Sequence, residues 1–390
     1  MDVTALTREL VSIPSHDDET AAGDRLEAWL RAETDASVER DDAGNVVARR
    51  GDPDGPTLAL VGHHDVVPPD DSQVTTGDSQ VAAGDARGTA TGDEYVVEER
   101  DGRLYGRGTA DMKGAVAAMA LAFRDAEVAD GRVAGGESNG PGELVFASFV
   151  GEEVGGEGAR HAIEHGFAPD AAVVGEGSTN YSTDGVTDVV VAHRGRRGST
   201  ITARGRAAHA SEPEAGTNAI YRASDAVDVV RELSVPTVSV AGESLSGSVA
   251  VTEIDGGTAW NVVPERCTIT VDERTVPGER ATLERVESID GVTWTVDQDL
   301  PPMACSDDDF AESVLDAARR VHDRRGEPAP SHVTKPHATD AGWLAEAGTA
   351  CVICGPAEPG EAHTADESVS IDVLERCRAV YRAVAEGCVG

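Results

Sequence analysis

The spacing of apolar residues along the chain predicts helices and short buried strands in alternation. Apolar residues recur at the spacing of amphipathic helices in segments 4–13, 20–33, 115–122, 158–165, 307–324 and 372–386. Short apolar runs bounded by glycine, proline or charged residues are typical of buried strands, and they occur at 57–62, 143–150, 171–175 and 350–355. This alternation predicts an α/β domain with a mainly parallel sheet.

The pattern changes near Asn180, where alternating residues replace the continuous apolar runs. Alternation predicts strands at 186–193, 198–204, 248–255, 266–272 and 293–297, and helical spacing predicts helices at 217–233 and 278–289. We therefore expect a small α+β module inserted into the larger domain. The predicted boundaries are 1–181 and 296–390 for the α/β domain and 182–295 for the module.

Two further segments have almost no large apolar side chains. Residues 69–94 are mostly Asp, Gly, Ser and Thr, and residues 131–142 are rich in glycine. Such composition predicts long solvated loops.

The charge and the cysteine content limit the classes of protein to which this chain can belong. The formal net charge is −38, with 71 acidic against 33 basic residues spread along the chain, which indicates a surface adapted to concentrated salt. No basic stripe is present to neutralise phosphates, so we expect no nucleic-acid partner. With no long apolar run and no apolar signal core, we expect no membrane span and a cytoplasmic location. Cys351 and Cys354 lie in an apolar run without a second pair of ligands, which favours buried structural thiols over a metal or redox role.

Candidate metal ligands follow the predicted strands or lie in glycine-rich turns. They are His63, Asp111, the Glu152–Glu153 pair, Glu176 and His363. The carboxyl ends of strands in an open α/β sheet share one edge, so these side chains can converge there. Imidazoles and carboxylates without a thiolate suit zinc or another divalent ion in a catalytic site. Two metal ions are possible if Asp111 bridges them.

Each of these residues also has an ordinary interpretation. Asp111 stands near the start of a helix, where aspartate often serves as a cap. Glu152 and Glu153 could be a solvated pair of charges, and a single histidine is more often a surface or core residue than a ligand. Agreement among several strand ends favours the metal site. Asp65, two residues after His63, is placed to hold its imidazole by the second nitrogen.

Eight short motifs follow one another along nearly the whole chain. They are GHHDVVP at 62–68, YGRGTADMKG at 105–114, GEEVGG at 151–156, VGEGS at 174–178, RRGS at 196–199, AHAS at 208–211, NVVP at 261–264 and AHT at 362–364. In this combination and order the chain resembles the zinc-dependent aminoacylase/carboxypeptidase family that includes acetylornithine deacetylase and succinyl-diaminopimelate desuccinylase.

The resemblance implies a role for each matching residue. It implies one metal on His63 and Glu176, a second on Glu153 and His363, and Asp111 bridging both. It makes Glu152 the general base. The inserted module is similar to the family's ferredoxin-like lid and dimerisation domain, which implies a homodimer in which His209 reaches a neighbouring subunit's site to stabilise the oxyanion. Asn261 and Arg274 match positions that hold the substrate, and Arg196 or Arg197 is expected to bind its carboxylate.

These expectations combine into one hypothesis and two alternatives. The hypothesis is a dinuclear zinc amidohydrolase, with cobalt or manganese as possible substitutes, that removes an acetyl or succinyl group from a small N-acyl amino acid. One alternative is a metallo-carboxypeptidase or dipeptidase with the same site. The other is a non-catalytic metal-binding protein, which Glu152 disfavours because a base beside the ligands has no role in binding alone.

Overall fold

The computed structural model describes residues 1–75, 94–128 and 142–390. Most of the loop predicted at 69–94, and nearly all of the glycine-rich loop predicted at 131–142, lies outside the described residues. Within the described residues, no helix is both long and apolar enough to cross a membrane.

The bounds of the regular elements are as follows. The α-helices of the described residues are α1 (Val3–Val11), α2 (Thr20–Glu33), α3 (Gly114–Asp125), α4 (Glu157–Glu164), α5 (Ala219–Arg231), α6 (Asp308–Arg325), α7 (Asp340–Glu346) and α8 (Ile371–Cys388). The first strands are β1 (Ser37–Arg40), β2 (Val46–Gly51), β3 (Thr57–His63), β4 (Val74–Thr75), β5 (Glu94–Tyr95), β6 (Glu98–Arg100), β7 (Arg103–Tyr105), β8 (Glu143–Phe149), β9 (Ala171–Val174), β10 (Val189–His193) and β11 (Gly195–Arg204). The remaining strands are β12 (Ala208–His209), β13 (Thr237–Val240), β14 (Glu243–Ser246), β15 (Ser248–Gly256), β16 (Val262–Val263), β17 (Arg266–Thr275), β18 (Val292–Leu300), β19 (Met303–Ala304), β20 (His332–Lys335), β21 (Ala350–Ile353) and β22 (Ser368–Ser370).

The chain forms two compact units. The first unit comprises Met1–Val191, Cys305–Val333 and Thr339–Gly390, and the second comprises Ala192–Ala304 and Thr334–Ala338.

The first unit is built on a sheet with a parallel centre. Strands β8, β3, β9 and β21 lie side by side in that order and run parallel. β2 is antiparallel to β8, and β10 is antiparallel to β21. Leu60, Val61 and Val173 of the central strands have no exposed surface, as expected for strands covered on both faces. The parallel order brings the carboxyl ends of β3, β8 and β9 to one edge.

The second unit combines an antiparallel sheet with a helix. Its strand order is β15–β17–β11–β18, and α5 packs against this sheet. The buried residues of α5, Ala219, Ala223, Ala226 and Val230, recur at helical spacing, so one face of the helix meets the sheet. A mainly parallel α/β domain with an inserted α+β unit confirms the fold class predicted from the sequence.

The helix predicted at 278–289 is wrong over half of its length. Only Leu283–Ser288 are helical, and they form a 3-10 turn. The N–H of Ala281 donates to the Glu273 carboxylate at 3.0 Å, and Thr282 has a non-helical backbone with ψ of 62°. Because the backbone at Thr282 is not helical, a continuous helix over 278–289 cannot form.

Candidate metal centre

Three strand ends of the parallel sheet present candidate ligands. His63 is the last residue of β3, and Glu176 follows β9 by two residues. The turn after β8 carries Glu152 and Glu153, and Gly151 in that turn has a φ of 63°, a conformation that favours glycine. Because β8, β3 and β9 are neighbours, these side chains meet at one edge of the sheet.

One group of candidate ligands consists of His63, Asp111 and Glu176, whose ligand atoms all lie within 4.8 Å of one another. His63 Nε2 lies 3.2 Å from Asp111 Oδ1 and 3.5 Å from Glu176 Oε1. The imidazole of His63 is buried.

A second group consists of Asp111, Glu153 and His363, with the same closeness of ligand atoms. His363 Nε2 lies 3.0 Å from Asp111 Oδ2 and 2.9 Å from Glu153 Oε1. The two oxygens of Asp111 therefore face different histidines. This carboxylate is the member that the two groups share.

Asp65 ties two of the ligand-bearing loops together. Its Oδ1 lies 3.2 Å from His63 Nδ1, and its Oδ2 accepts a hydrogen bond from the N–H of Glu153 at 3.0 Å. It is 3% exposed. A carboxylate on the second imidazole nitrogen fixes the orientation of a histidine ligand.

The charges of the centre are strongly coupled. Burial opposes charging of His63, but Asp65, Asp111 and Glu176 raise its pKa well above the usual value. Hydrogen bonds to Asp111 and Glu153 raise the pKa of His363 to about 10. The carboxylates around both imidazoles therefore favour positive charge at this centre. Oxygen and nitrogen donors in this arrangement fit a divalent cation such as zinc.

Glu152 has a different environment from its neighbour Glu153. Burial, together with the charges of Glu176, Asp340 and Asp111, raises the pKa of Glu152 well above its usual value. Glu152 belongs to neither ligand group. A carboxyl group with a raised pKa beside a metal centre is a candidate for proton transfer.

The sequence patterns do not single out Asp340, which the structure places near this centre. Asp340 is 3% exposed, and neither carboxylate oxygen has a hydrogen-bond partner within the described residues. Burial, with the charges of Asp65 and Glu176, raises its pKa to about 7. Asp340 begins α7, a helix of 7 residues that is too short to give a clear periodic signal. The Thr339–Asp340 pair at its start is the signal that was available.

Other predicted site residues belong to the second unit. His209 is exposed and its Nδ1 lies 2.7 Å from Ser211 Oγ. The carbonyl oxygen of Asn261 accepts the N–H of Ala210 at 2.9 Å. β12 and β16 pair in this region, so His209 and Asn261 lie close to each other.

The three predicted substrate-binding arginines lie on neighbouring strands with different environments. The side chain of Arg196 is 46% exposed, and its Nε donates to Asp272 at 2.9 Å. Nε of Arg274 donates to the same carboxylate at 2.8 Å. Arg197 is buried, with its guanidinium donating to Glu273 at 2.6 Å and to a backbone carbonyl at 3.1 Å. The guanidinium of Arg197 is thus engaged inside the second unit.

Comparison with known proteins identifies the family of this chain. The profile of peptidase family M20/M25/M40 matches residues 59–387. The chain belongs to this family. It is 31% identical to an acetylornithine deacetylase of Myxococcus xanthus over 90% of this chain and 87% of that protein. It is 29% identical to a succinyl-diaminopimelate desuccinylase of Xanthomonas oryzae pv. oryzae over 85% of this chain and 83% of that protein.

Solved structures share the fold at lower sequence identity. The aminopeptidase PepT of Bacillus cereus superposes with a TM-score of 0.73 at 19% identity, covering 100% of this chain and 98% of that one. The YXEP protein of Bacillus subtilis, a dinuclear metal-binding peptidase of the M20 family, superposes with a TM-score of 0.66 at 17% identity, covering 99% of this chain and 97% of that one.

These findings confirm the family and the class of reaction predicted from the sequence. The chain is an amidohydrolase of the M20 family, and the family's use of divalent metal agrees with the two ligand groups.

Proposed function

We propose that this protein is a dinuclear zinc enzyme that removes an acetyl or succinyl group from the amine of an amino acid. The observation that carries the proposal is the sharing of Asp111 between two ligand groups. The named activities of two relatives, at 31% and 29% identity, support the acyl group.

The ligand groups assign the residues that would hold the ions. His63 and Glu176 would hold one ion, Glu153 and His363 the other, and Asp111 both. Bound zinc supplies a Lewis acid for the amide carbonyl and lowers the pKa of water from 15.7 to about 7. Asp65 would keep the imidazole of His63 in the orientation that binding requires.

Glu152 would move the proton of the reaction. Its carboxylate takes a proton from the attacking water and then delivers it to the departing amine. The raised pKa of Glu152 favours the first step, because a carboxylate with a higher pKa is a stronger base. Such general base and acid catalysis is worth about 10²–10⁴-fold in rate.

Residues of the second unit would bind the rest of the substrate. His209, whose Nδ1 contacts Ser211 Oγ, would reach the site of a neighbouring subunit and donate from Nε2 to the developing oxyanion there. Asn261 and Arg274 would hold the substrate, and Arg196 is the more available of the two neighbouring arginines because it is exposed while Arg197 is engaged. Arginine suits a carboxylate because it can bind both oxygens at once.

We also propose a homodimer that uses the second unit. β15 is an edge strand of its sheet, and Ile254 on it is 54% exposed. An exposed apolar edge strand is a surface that a second copy can cover by strand pairing. Sedimentation of the wild type and of Ile254→Lys tests this: a dimer that becomes a monomer is expected, and a monomeric wild type would contradict it.

The second candidate is a peptidase that acts on short peptides. Its support is the fold shared with human carnosine dipeptidase 1, at a TM-score of 0.62 and 16% identity. An amide between two amino acids and one between an acyl group and an amino acid need the same metal centre and base. The two candidates therefore differ in substrate contacts.

A turnover screen separates the two candidates. Zinc-loaded protein in concentrated salt is given N-acetylornithine, N-succinyl-diaminopimelate, other acylated amino acids and a set of dipeptides, with Glu152→Gln as the blank. We expect the highest kcat/KM for one acylated amino acid. Faster turnover of dipeptides would favour the peptidase over the deacylase as the function. No turnover of any amide would contradict both proposals.

A further inference from the structure

Two segments that carry candidate ligands are joined by a short ladder. β22 is antiparallel to β7, with Ser368 opposite Tyr105. The N–H of Gly106 extends the ladder by donating to the carbonyl oxygen of Glu367 at 3.0 Å. These hydrogen bonds join the segment that follows the candidate ligand His363 to the turn that carries Asp111, the ligand shared by both groups.

The side chain of Glu367 reaches into that turn. Its Oε1 accepts the N–H of Ala110 at 3.0 Å and the N–H of Asp111 at 3.1 Å. Its Oε2 accepts a hydrogen bond from Nη1 of Arg107 at 2.5 Å. Glu367 is 1% exposed and Arg107 is 3% exposed. Two backbone donors and one buried cation on a single carboxylate hold the turn firmly.

The geometry of the second ligand group, which includes His363, depends on a loop more than that of the first group does. His63 and Glu176 stand at or near the ends of paired strands. The side chain of His363 is 51% exposed, and its φ of 64° is seldom adopted by residues other than glycine. The position of His363 therefore needs an anchor elsewhere in its segment, and Glu367 lies four residues further along.

We propose that Glu367 is a positioning residue of the metal centre. Glu367 fixes the backbone of Asp111 relative to the segment that carries His363. The ion held by Asp111, Glu153 and His363 therefore depends on Glu367 more than the other ion does. This inference rests on the proposed two-ion site. Residues that orient ligands contribute about 10–100-fold to metal affinity.

A pair of double variants isolates the two backbone hydrogen bonds. Changing Glu367 alone would leave a buried, uncompensated Arg107, so Arg107→Met is made in both. Arg107→Met/Glu367→Gln keeps an oxygen that can accept the N–H groups of Ala110 and Asp111. Arg107→Met/Glu367→Leu has similar bulk and no acceptor. Replacing a buried ion pair with apolar residues is often tolerated.

The second unit offers a matched control. Glu273 is also buried, accepts a hydrogen bond from a buried arginine, Arg197, at 2.6 Å and accepts the N–H of Ala281 at 3.0 Å. Arg197→Met/Glu273→Leu therefore removes an equivalent arrangement that holds no candidate ligand of the metal centre. It measures the effect of general destabilisation.

Calorimetric titration of the metal-free proteins with zinc gives the result. We expect the wild type to bind two ions and the Gln variant and the control to keep both affinities. The Leu variant should lose about 10–100-fold at the site that includes His363, with a smaller loss at the other site. Equal second-site affinities in the Leu and Gln variants, or an equal loss in the control, would overturn the role of Glu367 and leave the proposed function standing. A wild type that binds fewer than two ions would overturn the two-ion site itself.

Discussion

Individual residues of the metal centre carry protons that a metal ion must displace. Asp111 is the opposite case and keeps its negative charge: burial disfavours that charge, yet hydrogen bonds from His363 and His63 hold its pKa below the usual value. The histidines in turn have raised pKa values. An imidazole binds metal only in its neutral form, so proton release and metal binding are linked.

The first prediction concerns this linkage at His363. Its pKa of about 10 in the metal-free protein means that the ring is protonated at neutral pH. A rise in pH towards that value removes the competing proton, so zinc affinity should increase from neutral to mildly alkaline pH. Titration calorimetry in buffers of different ionisation enthalpy measures both the affinity and the protons released. The His363→Ala variant should release fewer protons, and binding without proton release in the wild type would contradict the assignment.

The second prediction concerns Glu152. Glu152→Gln keeps the size of the side chain and removes the base, so both metal ions should stay bound while kcat falls about 10²–10⁴-fold. Metal analysis and steady-state kinetics measure the two effects. Glu164→Gln, on the exposed part of α4, is the control and should leave kcat unchanged. An unchanged kcat in Glu152→Gln would show that Glu152 is not the general base.

At the scale of elements, close backbone contacts hold the strand ends in place. A Cβ on Gly355, just after β21, would overlap the carbonyl oxygens of Gly175 and Glu176. The parallel neighbour β9 ends at Val174, so this contact positions the segment that carries Glu176. Only a residue without a side chain allows the two segments to approach this closely.

The third prediction follows from that contact. Gly355→Ala should push the Glu176 segment away, which should lower the free energy of unfolding by about 1–3 kcal/mol. It should also weaken zinc binding at the site that includes Glu176. Thermal unfolding and zinc titration measure both effects. Gly387→Ala, where a Cβ would meet no atom within 4 Å, is the control and should keep full affinity. Unchanged zinc affinity in Gly355→Ala would show that this contact does not position the ligand.

The main elements could be predicted from the sequence, and the candidate ligands could be assigned to strand ends and turns, because both depend on local patterns. Buried parallel strands are continuous apolar runs, and His63 directly follows such a run. Residues whose role depends on distant contacts were not predictable in this way. Glu367 receives the N–H of Asp111 across 256 positions of sequence, and no periodicity reports such a contact. The same applies to the 278–289 segment, where the Glu273 side chain captures the N–H of Ala281.

At the scale of the whole molecule, charge is the dominant feature. The net charge of −38 makes the folded chain repel itself at low ionic strength. Salt shortens the range of this repulsion from about 10 Å at 0.1 M to about 3 Å at 1 M. Compactness should therefore depend on salt.

The fourth prediction is a rise in stability with salt. The unfolding temperature should increase between low and molar potassium chloride, because screening favours the compact state over the expanded one. Scanning calorimetry over a salt series measures it, and sucrose at matched osmolality controls for effects that do not depend on charge. An unfolding temperature that responds equally to sucrose and to salt would contradict an electrostatic cause.

The most direct test of the two-ion centre is crystal diffraction from zinc-loaded protein at the zinc absorption edge. The account predicts two anomalous peaks per chain, about 3.5–4 Å apart. Asp111 should lie between them, with His63 and Glu176 on one ion and Glu153 and His363 on the other. A single peak, or two peaks that do not share Asp111, would contradict the central claim.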